Sequence, residues 1–147
     1  MRTYKGKFKP KNPQKYKGDP TNIVYRSRWE LMVMTRLDND PKVIWWQSEE
    51  TIIPYKSPVD GRWHRYFVDF CARLMKPDGG TRTILIEVKP HAQTQPPMIK
   101  ESKSRKYIQE VMTWGVNSAK WKAAEEYCKD RGYEFIILTE KELGIKF

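Results

Sequence analysis

Apolar residues recur along this chain in two rhythms, one with the spacing of a helix face and one with the alternation of a strand. Over 27–39, Trp29, Val33 and Leu37 stand four apart, which places them on one helical face, and Ser27-x-x-Glu30 at the start has the form of a capping box. Asp40-Pro41 closes this helix, because the proline ring disfavours helical backbone in the residue before it. Short strands are predicted over 43–46 and 51–55, a longer one over 63–75 and another over 82–89. The turn-forming runs Ser57-Pro58-Val59-Asp60-Gly61 and Lys76-Pro77-Asp78-Gly79-Gly80 separate the later strands into an antiparallel meander. Pro90 ends the last of them, and the polar, proline-rich residues 91–97 read as a mobile loop. A helix is predicted over 102–131, with a break near Gly115, with Trp114, Trp121, Ala124 and Cys128 on one face, and with Gly132 as its stop. Residues 135–138 are wholly apolar and read as a buried strand, brought parallel to 84–88 by a right-handed helical crossover.

The first 22 residues follow neither rhythm. Residues 1–19 hold Arg2, Lys5, Lys7, Lys9, Lys11, Lys15 and Lys17 against the single acid Asp19, with Gly6, Pro10, Pro13 and Gly18 among them. Such a stretch cannot sustain a helix and has little to bury, so an extended basic arm over 1–22 is expected ahead of a single domain over 23–147. The net charge of +6 over residues 1–19 is most of the +10 of the whole chain and leaves +4 for the other 128 residues. A chain of 147 residues that is 39% apolar and 13% aromatic can build one core, and its basic balance favours a polyanionic partner. Tyr4, Phe8 and Tyr16 among the lysines either stack on nucleic acid or pin the arm to its own domain. Cys71 and Cys128 belong to no C-x-x-C pair, so neither a zinc site nor a disulfide framework is indicated and a reducing compartment is the simplest reading. No run approaches the ~18–20 apolar residues of a membrane span, and the basic start lacks the apolar segment of a signal peptide. A soluble, intracellular protein is expected.

Candidate chemistry lies at two strand ends. In TILIEVKP, Glu87 and Lys89 project from one strand face while Ile84, Ile86 and Val88 point to the other. An acid and a lysine two apart on a solvated strand would be ordinary surface decoration, but a carboxylate inside so apolar a run needs a purpose. Asp69 is placed similarly, between Phe67 and Phe70 in the run 66–74. Two carboxylates offer hard oxygen ligands to Mg²⁺, with Mn²⁺ as a substitute, and the neighbouring ammonium can orient a water or offset charge on phosphate. Phosphodiester hydrolysis is the reaction this set suits. Asn117 and Lys120, three apart on the long helix, are placed to reach a phosphate near a metal. His64 and His91 are assigned no role.

The order of elements, with Asp69, Glu87 and Lys89 at those places, resembles the PD-(D/E)xK nuclease superfamily, Val68 standing where the motif carries proline. The resemblance implies a single-domain, restriction-endonuclease-like α/β fold with an α-β-β-β-α-β core and a mixed sheet. It further implies metal ligation by Asp69, Glu87 and the Val88 carbonyl, water positioning by Lys89, and help from Glu30, which holds the place of an acid on the first helix. The competing role for Glu30 is as reciprocal partner of Ser27 in the capping box. Through KGKFKPKNPQKYKGDPTNIVYRSRWE, HRYFVDF, IEVKP and NSAKWKAAEEYCKDRGYEF the chain is similar to the small head-completion nucleases of T-even-type tailed phages. Its S-x-W-E, aspartate and E-x-K also look like those of transposon-end nucleases. These likenesses imply a Mg²⁺-dependent DNA endonuclease of little sequence preference, acting on the filled phage head in the host cytoplasm, with DNA and portal or neck proteins as partners. Lys5, Lys7, Lys9, Lys11, Lys15, Lys17 and Lys120 would then hold the DNA, joined by Lys100, Lys103, Arg105 and Lys106. The alternatives are a non-catalytic DNA-binding head component and a junction-resolving or repair nuclease. Oligomeric state is left open.

Overall fold

The computed structural model describes residues 5–101 and 103–144. Arg2, Tyr4 and residue 102, where the long helix was expected to begin, lie outside them. In chain order the elements are β1 (Gly6–Phe8), β2 (Ile23–Tyr25), α1 (Arg28–Asn39), β3 (Val43–Ser48), β4 (Ile52–Lys56), β5 (Trp63–Phe67), β6 (Phe70–Met75), β7 (Thr81–Val88), α2 (Arg105–Arg131), β8 (Glu134–Leu138) and α3 (Glu140–Leu143). The central sheet has the order β3-β6-β7-β8, antiparallel except for the parallel β7–β8 pair. With α1 before β3 and α2 between β7 and β8, this is the expected α-β-β-β-α-β core with a mixed sheet. The β4–β5 hairpin is inserted after its first strand.

Strand alternation divides the core into two layers. Ile84 and Ile86 of β7 face α1 and pack with Val33, Met34, Leu37, Trp46 and Phe70. Leu85 faces α2 and packs with Tyr66, Val68, Cys71, Trp121, Ala124 and Cys128. Burial pushes the Cys128 thiol up to about 11, which makes it an inert core group. Ser27 Oγ accepts the Glu30 N–H at 3.1 Å and starts α1. Gly132 ends α2 in the left-handed region at φ 70°, where glycine has no Cβ penalty.

The expected strand over 63–75 is two strands in different sheets. Tyr66 and Val68 belong to the α2-side layer while Phe70 and Ala72 belong to the α1-side layer, so the alternation breaks between 68 and 70. The chain bends there, held by Val68 N–H to the Thr51 carbonyl at 3.0 Å and Glu49 N–H to the Asp69 carbonyl at 3.1 Å. Asp69 therefore sits at a bend between strands rather than inside one. The long helix also differs from expectation: it begins at Arg105, capped by Ser104, and runs unbroken through Gly115. A helical glycine costs only about 1 kcal/mol, and buried contacts beyond it at Asn117, Trp121, Ala124 and Cys128 carry the helix through. Residues 91–94 form a short 3-10 turn. In β8, Phe135 to Leu138 are only half-buried, because β8 is an edge strand.

Residues 5–22 of the expected extended arm instead pack on the rest of the chain. β1 pairs antiparallel with β2, Lys7 opposite Val24. Tyr16 is buried with its ring edge-on to Trp46 at 4.7 Å, and Lys17 N–H donates to the Trp46 carbonyl at 2.8 Å. The carboxylate of Asp38, only 1% exposed, accepts the backbone N–H groups of Lys11 at 2.8 Å and Asn12 at 3.2 Å. The lysine count conceals this docking, since Lys5, Lys7, Lys9 and Lys11 point outward while Phe8 and Tyr16 between them bury apolar surface.

Candidate active site

Three elements converge where β7 ends. Glu87 is buried at 4% exposure on the α2 side of the strand. One oxygen, Oε2, accepts the Tyr66 hydroxyl at 2.7 Å and the Trp121 indole N–H at 3.1 Å. Two donors on one oxygen set the carboxylate's orientation and answer the cost of burying it. Beside it, Asp69 Oδ2 accepts the Val88 N–H at 2.7 Å. Asp69 at the bend and Glu87 on the strand lie within hydrogen-bonding reach of each other.

Burial pushes the Asp69 carboxyl well above the ordinary carboxylate range, Glu87 raises it further, and only the Val88 N–H opposes the shift. Tyr66 is raised as well, by burial and then by the Glu87 carboxylate it touches. The sign of the linkage follows. Because Asp69 titrates higher folded than unfolded, its contribution to stability is complete below the ordinary aspartate value and is lost as pH rises through the raised one. Asp69→Asn is accordingly expected to raise the melting temperature of the metal-free protein at neutral pH. Each unit of pKa displacement corresponds to about 1.4 kcal/mol, and each kcal/mol to roughly 2–8 °C. Melts in chelator from pH 4 to 8 check this: the gap between variant and wild type should close toward pH 4, and parallel curves would contradict it.

Glu30 approaches this pair from the start of α1. Its Oε1 accepts the Arg26 N–H at 3.3 Å rather than that of Ser27, so the reciprocal half of the capping box is not formed. Burial raises the Glu30 carboxyl, with further upward pushes from Glu49 and Glu87. It does not join a ligand cluster: among the described residues no three His, Cys, Asp or Glu side chains come together as a metal site. Lys89 continues the strand, its N–H donating to the Leu138 carbonyl at 3.0 Å, and is half-buried two residues beyond Glu87. Lys120 stands over the rings of Tyr55 and Tyr66, 5.8 and 5.6 Å from their centroids. Lys5, Lys7, Lys9 and Lys11 form an exposed strip, and Lys17 lies over the Trp45 ring at 4.4 Å. Lys15 is different. Its Nζ donates to the carbonyls of Asp38 and Asp40, both at 2.8 Å, so it caps α1 and is not free to hold phosphate.

Sequence reasoning missed Tyr66 and Trp121 as supports of Glu87, and the Arg26–Glu49 ion pair at the rim. Glu49 has a left-handed backbone at φ 54°, uncommon for a residue with a Cβ, and its N–H braces the bend carrying Asp69. A tyrosine three residues before the aspartate was the available signal. Trp121 read only as core.

Residues 40–140 match the family described as TnsA-like endonuclease N terminal. The chain is also 41% identical over 150 residues to the head completion nuclease of Enterobacteria phage T4, an alignment covering 97% of each protein. No helix among the described residues is long and apolar enough to cross a membrane.

Proposed function

The chain belongs to the TnsA-like endonuclease family and is a nuclease, and we propose that it is a Mg²⁺-dependent DNA endonuclease of phage head completion. The observation carrying this is the buried Glu87 beside Asp69, with Lys89 two residues further along the chain. The residues fit a hard divalent cation, because two neighbouring buried carboxylates, one of them raising the proton affinity of Asp69, are a donor set whose repulsion such an ion relieves. Asp69, Glu87 and the Val88 carbonyl would hold it. Once bound, the ion supplies positive charge to the phosphate and makes water more acidic.

The chain's own groups do the positioning. Tyr66 and Trp121 both hold one Glu87 oxygen, Oε2, while the Val88 N–H fixes Asp69. Lys89 orients the attacking water and offsets charge on the phosphate. Glu30, whose proton affinity burial raises, assists from α1. The exposed strip Lys5, Lys7, Lys9 and Lys11, together with Lys17 and Lys120, holds the phosphate backbone. Backbone contacts position DNA without reading sequence, so portal or neck proteins of the filled head are the proposed source of location.

Incubation with linear, circular and branched DNA tests the reading. Cleavage is expected in Mg²⁺ and Mn²⁺ and binding without cleavage in Ca²⁺; no cleavage under any cation would overturn it. Replacing Lys5, Lys7, Lys9 and Lys11 by Gln should also flatten the plot of log K against log salt by roughly 3–4, at ~0.9 per phosphate. An unchanged slope would remove the strip from the DNA interface.

A further inference from the structure

Asn117, expected from the sequence to reach a phosphate, stands in a different setting on α2. Asn117 is 6% exposed, yet its side-chain amide has no hydrogen-bond partner among the described residues. It stands where two cavities of about 430 Å³ each meet on α2. Gln109, Thr113 and Asn117, four apart, form a single row along the helix and line both. The first cavity is closed on its other side by residues 92–97, with Gln93, Gln95 and the indole of Trp114 in its wall. The second is closed by the β4–β5 turn with Asp60 and His64.

The Asn117 amide opens on both cavities, and the ligand that pairs with it fully brings both a donor and an acceptor. Phosphate brings acceptors alone and is usually met by cations, whereas the wall of the first cavity contains Glu110 and no lysine or arginine. A nucleobase edge carries donors and acceptors side by side, and its flat faces suit an indole wall. The place also fits. Residues 91–97 leave the active strand directly through Lys89 and Pro90, and Asn117 precedes Trp121, the residue holding Glu87, by one helical turn of about 6 Å.

We propose that the cavity between residues 92–97 and α2 takes one unstacked nucleobase from the DNA strand flanking the scissile phosphate, with Asn117 pairing to its edge. The proposal rests on the DNA-cleaving reading above. A base reaches such a cavity only by leaving its stack, which costs least where it is already unpaired, so an unpaired nucleotide is favoured at that one position.

The test uses the full chain in Ca²⁺ and duplex DNA carrying a single 2-aminopurine, moved one position at a time in a mismatched or paired setting. Anisotropy of a distant dye reports overall binding. Protein is expected to change the 2-aminopurine emission at one position only, more when it is mismatched, and that change should be lost in Asn117→Leu and reduced in Gln109→Ala while anisotropy still reports complex. Binding with no responsive position, or a response intact in both variants, would overturn the base cavity and leave the nuclease reading standing. Absence of any DNA binding by the wild-type protein would overturn both.

Discussion

Asp69→Ala and Glu87→Ala are each expected to abolish phosphodiester cleavage, by at least about 10²–10³-fold, while DNA binding persists or tightens. Each removes a proposed metal ligand and also a negative charge that repels phosphate. The two differ in what they leave behind. Glu87→Ala strands the Tyr66 hydroxyl and the Trp121 N–H in the core, at about 1–3 kcal/mol of lost stability, so Glu87→Gln is the cleaner partner experiment because its carbonyl oxygen can still accept both donors. Lys89→Ala, with no buried hydrogen-bond network around its ammonium, should lose about 10²-fold with little change in stability. Nicking of supercoiled plasmid by extensively purified protein measures all of these. A double variant Asp69→Ala/Glu87→Ala that nicks at the wild-type rate would remove both residues from the reaction.

Tyr16→Ala is expected to destabilise the whole domain by about 3–5 kcal/mol, the usual range for deleting a buried aromatic ring. Its ring packs on Trp46 at 4.7 Å and its hydroxyl accepts the Ser48 N–H at 3.2 Å. Removing residues 1–19 goes further, because the buried Asp38 carboxylate then loses both backbone donors and an unpaired buried charge is strongly unfavourable. A truncated chain should therefore unfold at markedly lower urea or temperature, and its weakened DNA binding would reflect lost structure as well as lost charge. An unchanged denaturation midpoint for the truncated chain would show the segment to be a dispensable tail.

The central architecture was legible because its signals are local and periodic. Ile84, Leu85 and Ile86 alternate between the two layers as a strand requires, so Glu87 could be assigned a face before its neighbours were known. Helix stops at Asp40 and Gly132 were likewise written in backbone chemistry. The docked N-terminal segment was not legible, because its lysines dominate the count while the anchoring groups, Tyr16 and the Lys11 and Asn12 N–H, meet Trp46 and Asp38 more than 25 residues away. The bend at Asp69 was hidden for a similar reason: Val68 and Phe70 are both apolar, and only the packing reveals that they face opposite layers. Tyr66 and Trp121 read as core residues, and they are core residues, whose polar edges happen to converge on Glu87.

The pairing of β7 with β8 also orders events during synthesis. Ile137, the register partner of Glu87, follows it by 50 residues, and Trp121, which holds its carboxylate, by 34. At ~5–20 residues per second, the ribosome delivers the acidic strand seconds before the groups that frame it. The basic strip over residues 5–11 emerges before both. The chain acquires an ordered pair of carboxylates only when β8 has been made and laid alongside β7, so an ordered site arrives with the finished domain.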